Sequence, residues 1–174
     1  MIKSESQRNS TFLENSQFNE SRIRGETVHE CLENFLTTGQ PGDGGKYNAW
    51  VEKLINYPMW GRFRVIATEL RMVDRIHDIA GTLDCLLENR KTKEIWLVDL
   101  KTRNEKFSKG NYRRQLGGYL SLLYTAYPFI HVDKCRVIYA TPKEVVTTDY
   151  DPMECLELYE QARSAYFAST QLPI

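Results

Sequence analysis

The sequence lacks the features that would place it at once in several broad classes of protein. It has neither an apolar run of about 20 residues nor a signal-peptide pattern, so we expect a soluble, intracellular chain without a membrane partner. It also has no excess of charge, because 23 Lys and Arg balance 23 Asp and Glu. Net charge therefore gives no argument for a nucleic-acid partner, and local clusters of charge have to carry that argument.

The chain has four cysteines, and none of them forms a C-x-x-C pair with another. Without that spacing a zinc site is not indicated. At least three of the four fall in apolar patterns, which are typical of buried, reduced thiols. The cysteines are Cys31, Cys85, Cys135 and Cys155.

A chain of 174 residues is long enough for one domain with a substantial core. Residues 1–20 are rich in Ser, Asn, Gln and Glu and have few apolar residues, so we expect a flexible N-terminal arm. We expect residues 21–174 to form a single folded domain. No internal repeat is visible in the sequence.

The spacing of apolar residues predicts the order of the secondary-structure elements. Spacing of three and four residues indicates helices, and alternation indicates strands. This order predicts an α/β sandwich in which a mixed central β-sheet is flanked by helices. The predicted helices cover about 21–36, 50–57, 111–127 and 152–167, and the predicted strands cover about 63–72, 83–88, 95–100, 135–139 and 145–148.

The stretch from Gly81 to Thr102 is predicted to form a β-hairpin. Two runs of strand-forming residues flank a polar connection, as a hairpin requires. Four loop residues, Arg90 to Lys93, would close the hairpin and pair Asn89 with Glu94.

This register places two carboxylates face to face. Counting back along the antiparallel strands puts Asp84 directly opposite Asp99, and the two-residue strand period puts Lys101 on the same face. Opposed Cβ atoms lie only about 4.5 to 5.5 Å apart, so two ionised aspartates there need a cation between them. A hard divalent ion fits best. The alternative is that both aspartates are ordinary polar residues at strand ends.

Three motifs occur in order along the chain. They are Gly81-Thr82-Leu83-Asp84, Val98-Asp99-Leu100-Lys101-Thr102, and Gln115 with Tyr119 on the following predicted helix. Together they resemble the motifs of the PD-(D/E)XK nuclease superfamily, and most closely its RecB-like exonuclease branch. Leu83 replaces the proline that names the superfamily, as is usual in this branch. The resemblance implies a restriction-endonuclease-like sandwich.

The resemblance also implies roles for individual residues. Catalysis is expected to depend on Asp84, Asp99, Lys101 and Gln115. One or two Mg²⁺ or Mn²⁺ ions would be held by His29, Asp84, Asp99 and the Leu100 carbonyl. Some relatives carry an iron-sulfur cluster on one upstream and three clustered downstream cysteines, and this sequence lacks that cluster of cysteines.

Two residues have an alternative interpretation at this point. A lone helical histidine such as His29 is often structural, although its position at the edge of the apolar stripe allows it to reach a neighbouring site. The sequence does not decide whether Glu69 is a supporting carboxylate or an exposed strand residue.

The expected substrate is DNA, at single-stranded or duplex ends. The segment from Lys101 to Arg114 has six basic residues and one acid. Beside a phosphodiester site such a segment can contact phosphates, and the alternative is an ordinary solvated loop. Substrate contacts are expected from Gln115, Tyr119, Arg113 and Arg114. We therefore expect an exonuclease of DNA repair, recombination or phage-type DNA metabolism. The alternatives are a structure-selective, resolvase-like endonuclease and a catalytically silent DNA-binding subunit with the same fold.

Overall fold

The computed structural model of the chain describes residues 5–104 and 108–170, with side chains over 17–104 and 108–169. The elements follow the predicted order, with boundaries that differ by a few residues at most ends. Two short 3₁₀ helices, Gly45–Tyr47 and Trp60–Arg62, lie in the connections. The elements are α1 Glu5–Thr38, α2 Asn48–Ile55, β1 Phe63–Asp74, β2 Ile79–Asn89, β3 Ile95–Thr102, α3 Arg113–Ala126, β4 Lys134–Ala140, β5 Val145–Tyr150 and α4 Pro152–Thr170.

The strands of the described ranges form one five-stranded mixed sheet. Their order is β1, β2, β3, β4, β5, and each pair is antiparallel except β3 with β4. A parallel pair needs a crossover connection, and α3 supplies it between β3 and β4. The prediction of an α/β fold with a mixed central sheet and flanking helices is confirmed.

Helices cover both faces of the sheet. One apolar cluster, which includes Val28 of α1 and Leu54 of α2, packs on one face. A second cluster, which includes Leu116 of α3 and Cys155 of α4, packs on the other. Because both faces are covered, the central strands are apolar on both sides. A polar group in these strands therefore stands out.

The predicted hairpin between β2 and β3 is confirmed. Asn89 N donates to Glu94 O at 2.8 Å, and Lys93 N donates to Asn89 O at 2.9 Å, so residues 90–93 form the loop. Farther along the strands, Cys85 pairs with Val98. The register is the one that the sequence predicts.

The first helix begins earlier than predicted. α1 starts at Glu5, within the segment 1–20 for which a flexible arm is expected, and runs without a break to Thr38. No Pro or Gly precedes Gly25, and Glu, Gln and Arg favour helices, so a lack of apolar residues does not end the helix. Phe18 is 71% exposed, which shows that this part of α1 is not held by the core. Residues 1–4 lie outside the described residues.

Local hydrogen bonds determine where α1 ends and where α4 begins. Gly39 ends α1 with φ of 81°, a left-handed conformation that glycine adopts without strain, and its N–H donates to Phe35 O at 2.9 Å. Asp151 caps the start of α4, because its Oδ1 accepts from Glu154 N at 2.9 Å and Pro152 takes the first helical position.

The four cysteines are free thiols, and all are buried. Cys31 and Cys85 belong to the cluster under α1 and α2, whereas Cys135 and Cys155 belong to the cluster under α3 and α4. Among the described helices, none is both long and apolar enough to span a membrane.

Candidate active site

Three carboxylates lie in one row across β1, β2 and β3. Cys85 pairs with Val98 on β3, and the next position on each strand is Asp84 and Asp99. On the other side of β2, Thr68 pairs with Cys85 and Leu70 with Leu83, which leaves Glu69 opposite Asp84. Three acidic side chains on neighbouring strands are unfavourable unless cations or protons balance them.

A β-bulge sets this alignment. Val65 pairs with Leu87 but Ala67 pairs with Leu86, so Ile66 is an extra residue in β1. Without it, every later residue of β1 would be shifted by one position against β2. Glu69 itself has φ of 46°, an uncommon left-handed conformation for a residue with a side chain.

The Asp84 side chain is hydrogen-bonded to the backbone of β3 near the C-terminal end of that strand. Its Oδ2 accepts a hydrogen bond from Leu100 N at 2.6 Å. Burial raises the pKa of Asp84 to about 6, and the nearby charge of His29 opposes this rise. Asp84 therefore takes up a proton below about pH 6, at a higher pH than an ordinary aspartate does.

Asp99 is the more deeply buried of the two aspartates, with 1% of its surface exposed. Lys101 Nζ donates to its Oδ1 at 3.0 Å and lies 2.8 Å from its Oδ2. Oδ2 itself receives no well-directed hydrogen bond. Burial raises the pKa of Asp99, and the Lys101 ammonium partly offsets that effect. Asp99 Oδ2 is thus ion-paired with Lys101 but receives no directed hydrogen bond.

His29 reaches this row from α1. Its Nε2 lies 3.0 Å from Leu100 O, so Nε2 carries the hydrogen when this bond forms. Its Nδ1 lies 3.6 Å from Asp84 Oδ1 and 3.8 Å from Glu69 Oε1. Burial lowers the pKa of His29, but the neighbouring carboxylates of Glu69 and Asp84 outweigh burial and raise it.

The donor set fits a divalent ion. One ligand atom from each of His29, Glu69 and Asp84 lies within 4.8 Å of the other two. Two carboxylate oxygens and an imidazole nitrogen repel one another when all are unprotonated, and Mg²⁺ and Mn²⁺ accept such ligands. Sequence reasoning left Glu69 undecided, and the structure places it beside His29 and Asp84. The Leu100 carbonyl, by contrast, is occupied by the His29 hydrogen bond.

Helix α3 closes the site from the other face of the sheet. Gln115 Nε2 donates to Asp99 Oδ1 at 3.3 Å and to Tyr119 Oη at 2.7 Å. Burial raises the pKa of Tyr119 to about 12, so its hydroxyl stays protonated at neutral pH. The structure thus brings Gln115 to Asp99 and Tyr119 to Gln115.

The two predicted arginines of α3 differ in their surroundings. Arg113 Nε lies 2.9 Å from Glu154 Oε1 of α4, and its guanidinium lies over the Tyr150 ring at 4.9 Å. Arg113 therefore joins α3 to α4 and is not directed at the carboxylates. Arg114 is exposed, whereas Arg113 is only partly exposed.

An open cleft of about 640 Å³ gives access to His29 and Glu69. Its α1 wall carries Glu26, Glu30 and Glu33. This wall is acidic, so a polyanion is repelled from it. Lys101 of β3 and Arg114 of α3 are not among the residues that line this cleft.

Comparisons with known proteins do not assign the chain to a family. No family model matches it, and no curated protein matches it. The crystal structure of SSO0001 is a similar solved structure, with 15% identity, coverage of 78% of this chain and 71% of that chain, and a TM-score of 0.38. Likeness at this level carries no argument about function, so the function has to be argued from the chemistry of the site.

Proposed function

We propose that this chain is a metal-dependent deoxyribonuclease with a restriction-endonuclease-like domain. The observation that carries the proposal is the convergence of Asp84, Asp99, Lys101 and Gln115 at one end of the β2–β3 hairpin. One buried and one largely buried carboxylate with raised pKa values, next to an ammonium and an amide, are a costly arrangement for stability alone. Phosphodiester hydrolysis explains that cost.

The residues that would hold Mg²⁺ or Mn²⁺ are Asp84, Asp99 and His29, with Glu69 as a further carboxylate. When bound, the ion supplies Lewis-acid stabilisation of the charge that develops on the phosphate. The Leu100 carbonyl can join only if His29 releases it, because His29 Nε2 now lies 3.0 Å from that oxygen.

The chain's own residues position the reactants. Lys101 Nζ lies beside Asp99, where its charge can stabilise a phosphate oxygen or hold the attacking water. Gln115 donates to Asp99 Oδ1 and to Tyr119, so its amide is fixed in direction before substrate arrives. Tyr119, protonated at neutral pH, can donate a hydrogen bond to the DNA backbone.

DNA ends are the proposed substrate. The domain offers no helix or ribbon arranged to read bases in a groove among its described residues, so it has little with which to choose an internal sequence. The acidic α1 wall of the cleft favours approach from the α3 side. An exonuclease in repair, recombination or phage-type DNA metabolism fits these features.

The test is hydrolysis of linear and covalently closed circular DNA of the same sequence, with Mg²⁺, with Mn²⁺ and with a chelator. Asp84→Asn and Asp99→Asn are expected to abolish hydrolysis, because each weakens a carboxylate contact with the ion. Glu157→Gln is the matched control, since Glu157 is exposed on α4.

Each outcome has a distinct meaning. Loss of linear DNA with persistence of circles supports the exonuclease. Equal cutting of both substrates replaces it with the endonuclease. DNA binding without hydrolysis in the presence of either ion supports the silent subunit. If the Asp84→Asn or Asp99→Asn variant folds and cuts DNA at the parental rate, the assignment of the active site is wrong.

A further inference from the structure

Arg24 of α1 is a buried cation that no described carboxylate pairs with. Only 7% of its surface is exposed. Its Nη1 donates to Asn104 Oδ1 at 3.1 Å, while its Nε is buried without a hydrogen-bond partner. Among the side chains described, no carboxylate forms an ion pair with it. A buried charge is costly unless it is paired, so this arrangement calls for an anion.

The guanidinium is held in place by apolar and neutral groups. It lies over the Trp50 ring at 5.5 Å, and Trp50 Nε1 in turn donates to Arg103 O at 2.7 Å. A guanidinium has five N–H donors in a fixed fork, and Asn104 occupies one of them. The fork therefore retains the donors that a bidentate contact with an oxyanion needs.

The nearest charges do not neutralise Arg24. Glu20 acts on it electrostatically but is engaged by Lys46 Nζ at 2.8 Å and by Tyr47 Oη at 2.9 Å. Burial lowers the pKa of Arg24, and the second guanidinium, Arg103, lowers it further. Arg103 donates to the Thr102 carbonyl and the Tyr112 hydroxyl, which are neutral. Two guanidinium groups are thus close together with one engaged carboxylate near them.

This cation pair adjoins the candidate active site. Arg24 precedes His29 by five residues, which is about 7.5 Å along the axis of α1. Arg103 follows Lys101 by two residues at the end of β3. A phosphate bound at Arg24 would therefore neighbour a phosphate at the carboxylates.

We propose that Arg24, with Arg103 beside it, binds a phosphate group of the nucleic acid strand next to the one that reacts. The inference rests on the proposed function for the identity of the ligand. Two sources share this chemistry: a terminal phosphate monoester at a strand end and an internal phosphodiester. Either would supply the negative charge that the buried guanidinium lacks.

The test uses the full chain in the presence of a chelator, so that no hydrolysis occurs. One probe is inorganic phosphate, followed by the rise in melting temperature that it causes. The others are single-stranded oligonucleotides with a 5′-phosphate, a 3′-phosphate or neither, followed by fluorescence anisotropy. The variants are Arg24→Gln, Arg24→Lys and Asn104→Ala, with Arg75→Gln as the control at an exposed arginine of the β1–β2 turn.

Arg24→Gln is expected to lower oligonucleotide affinity by about tenfold or more and to remove the stabilisation by inorganic phosphate. Arg75→Gln is expected to change neither. A terminal site predicts that parent prefers one phosphorylated oligonucleotide and that Arg24→Gln loses this preference. An internal site predicts an equal loss for all three oligonucleotides. Either result supports the proposal.

Asn104→Ala separates binding from a purely structural role. It removes the protein partner of Nη1 but leaves the guanidinium, so phosphate stabilisation should persist. If Asn104→Ala loses phosphate binding as fully as Arg24→Gln does, Arg24 only holds the loop and the proposal is overturned. If Arg24→Gln does not fold, Arg24→Lys decides: unchanged affinity for every probe overturns the proposal, and a loss of several-fold supports it.

The outcome is independent of the nuclease assay. If inorganic phosphate stabilises the chain through Arg24 but the chain does not hydrolyse DNA, the phosphate site stands and the proposed nuclease function is wrong. If the chain hydrolyses DNA with a metal ion but parent and Arg24→Gln bind phosphate equally well, the nuclease function stands and the phosphate site is wrong.

Discussion

Replacing Asp84 by Asn should stabilise the metal-free protein at neutral pH. Asp84 is buried beside Asp99 and opposite Glu69, so its ionised form is unfavourable when no cation is bound. The Asn amide has nearly the same shape and keeps an oxygen that can accept the hydrogen bond from Leu100 N. The substitution therefore removes a charge while it preserves the local packing.

The size of the effect follows from the pKa of Asp84. Burial raises that pKa from the ordinary value of 3.8 to about 6. At about 1.4 kcal/mol per pH unit, the difference corresponds to about 3 kcal/mol of folding free energy. Between these two pH values the folded chain binds more protons than the unfolded chain, so stability falls as the pH rises. The full cost is present above about pH 6 and absent below about pH 4.

Urea unfolding in chelator, followed by tryptophan fluorescence at pH 4, 5, 6 and 7.5, measures this difference. The free energy of unfolding of Asp84→Asn minus that of parent should be near zero at pH 4 and reach about 3 kcal/mol in favour of the variant at pH 7.5. Saturating Mg²⁺ should stabilise parent more than the variant. A variant that is less stable than parent at pH 7.5 in chelator would refute the reasoning.

Asp149→Asn is the control of opposite sign. Burial acts to raise the pKa of Asp149, but the hydrogen bonds from Arg136 at 2.6 and 2.7 Å outweigh burial and lower it. The ionised Asp149 therefore stabilises the fold above its ordinary pKa. Asp149→Asn should destabilise the protein at pH 7.5, and this loss should shrink as the pH falls through that region.

Three further predictions follow from the contacts at and around the site. His29→Ala should weaken Mg²⁺ or Mn²⁺ binding by about tenfold in calorimetry, because an imidazole nitrogen is lost, and unchanged affinity would make His29 a structural contact of the Leu100 carbonyl. Arg114→Glu should reduce the slope of log affinity against log salt for DNA by about 0.7 to 0.9, and a slope identical to that of parent would remove Arg114 from the substrate contacts. Arg113→Glu should instead lower the melting temperature, because it loses the ion pair with Glu154. Gly117→Ala should lower the free energy of urea unfolding by about 1 to 3 kcal/mol, because the new Cβ would lie 2.0 Å from Cys155 O. The control Gly118→Ala places its Cβ 3.2 Å from Tyr159 and should cost less. Equal losses of stability would contradict the close packing of α3 on α4.

The features that could be predicted from the sequence are those that depend on loop length and on the periodicity of strands and helices. The register of the β2–β3 hairpin follows from the length of its loop, so Asp84 and Asp99 could be aligned by counting. Lys101 followed from the two-residue period of a strand. Gln115 and Tyr119 are four apart on α3 and share a face for the same kind of reason.

The remaining features depend on tertiary contacts that no local pattern marks. The bulge at Ile66 breaks the alternation of β1 without a glycine to signal it, so Glu69 could not be aligned with Asp84 from the sequence. Arg24 looks like any polar residue of an exposed helix, and it is buried because Trp50 of α2 covers it. Arg113 is drawn away from the site by Glu154, on an element that lies far along the chain.

The bulge at Ile66 also determines which changes of chain length the protein can tolerate. Glu69, Asp84 and Asp99 are aligned by strand pairing, while the turns at 75–78 and 90–93 only connect the strands. Insertions in either turn lengthen the sequence interval between the acids without moving them apart in space. Loss of one residue between the bulge and Glu69 would shift Glu69 by one position against Asp84. Related chains should therefore vary freely in turn length and conserve the count of residues from Ile66 to Glu69.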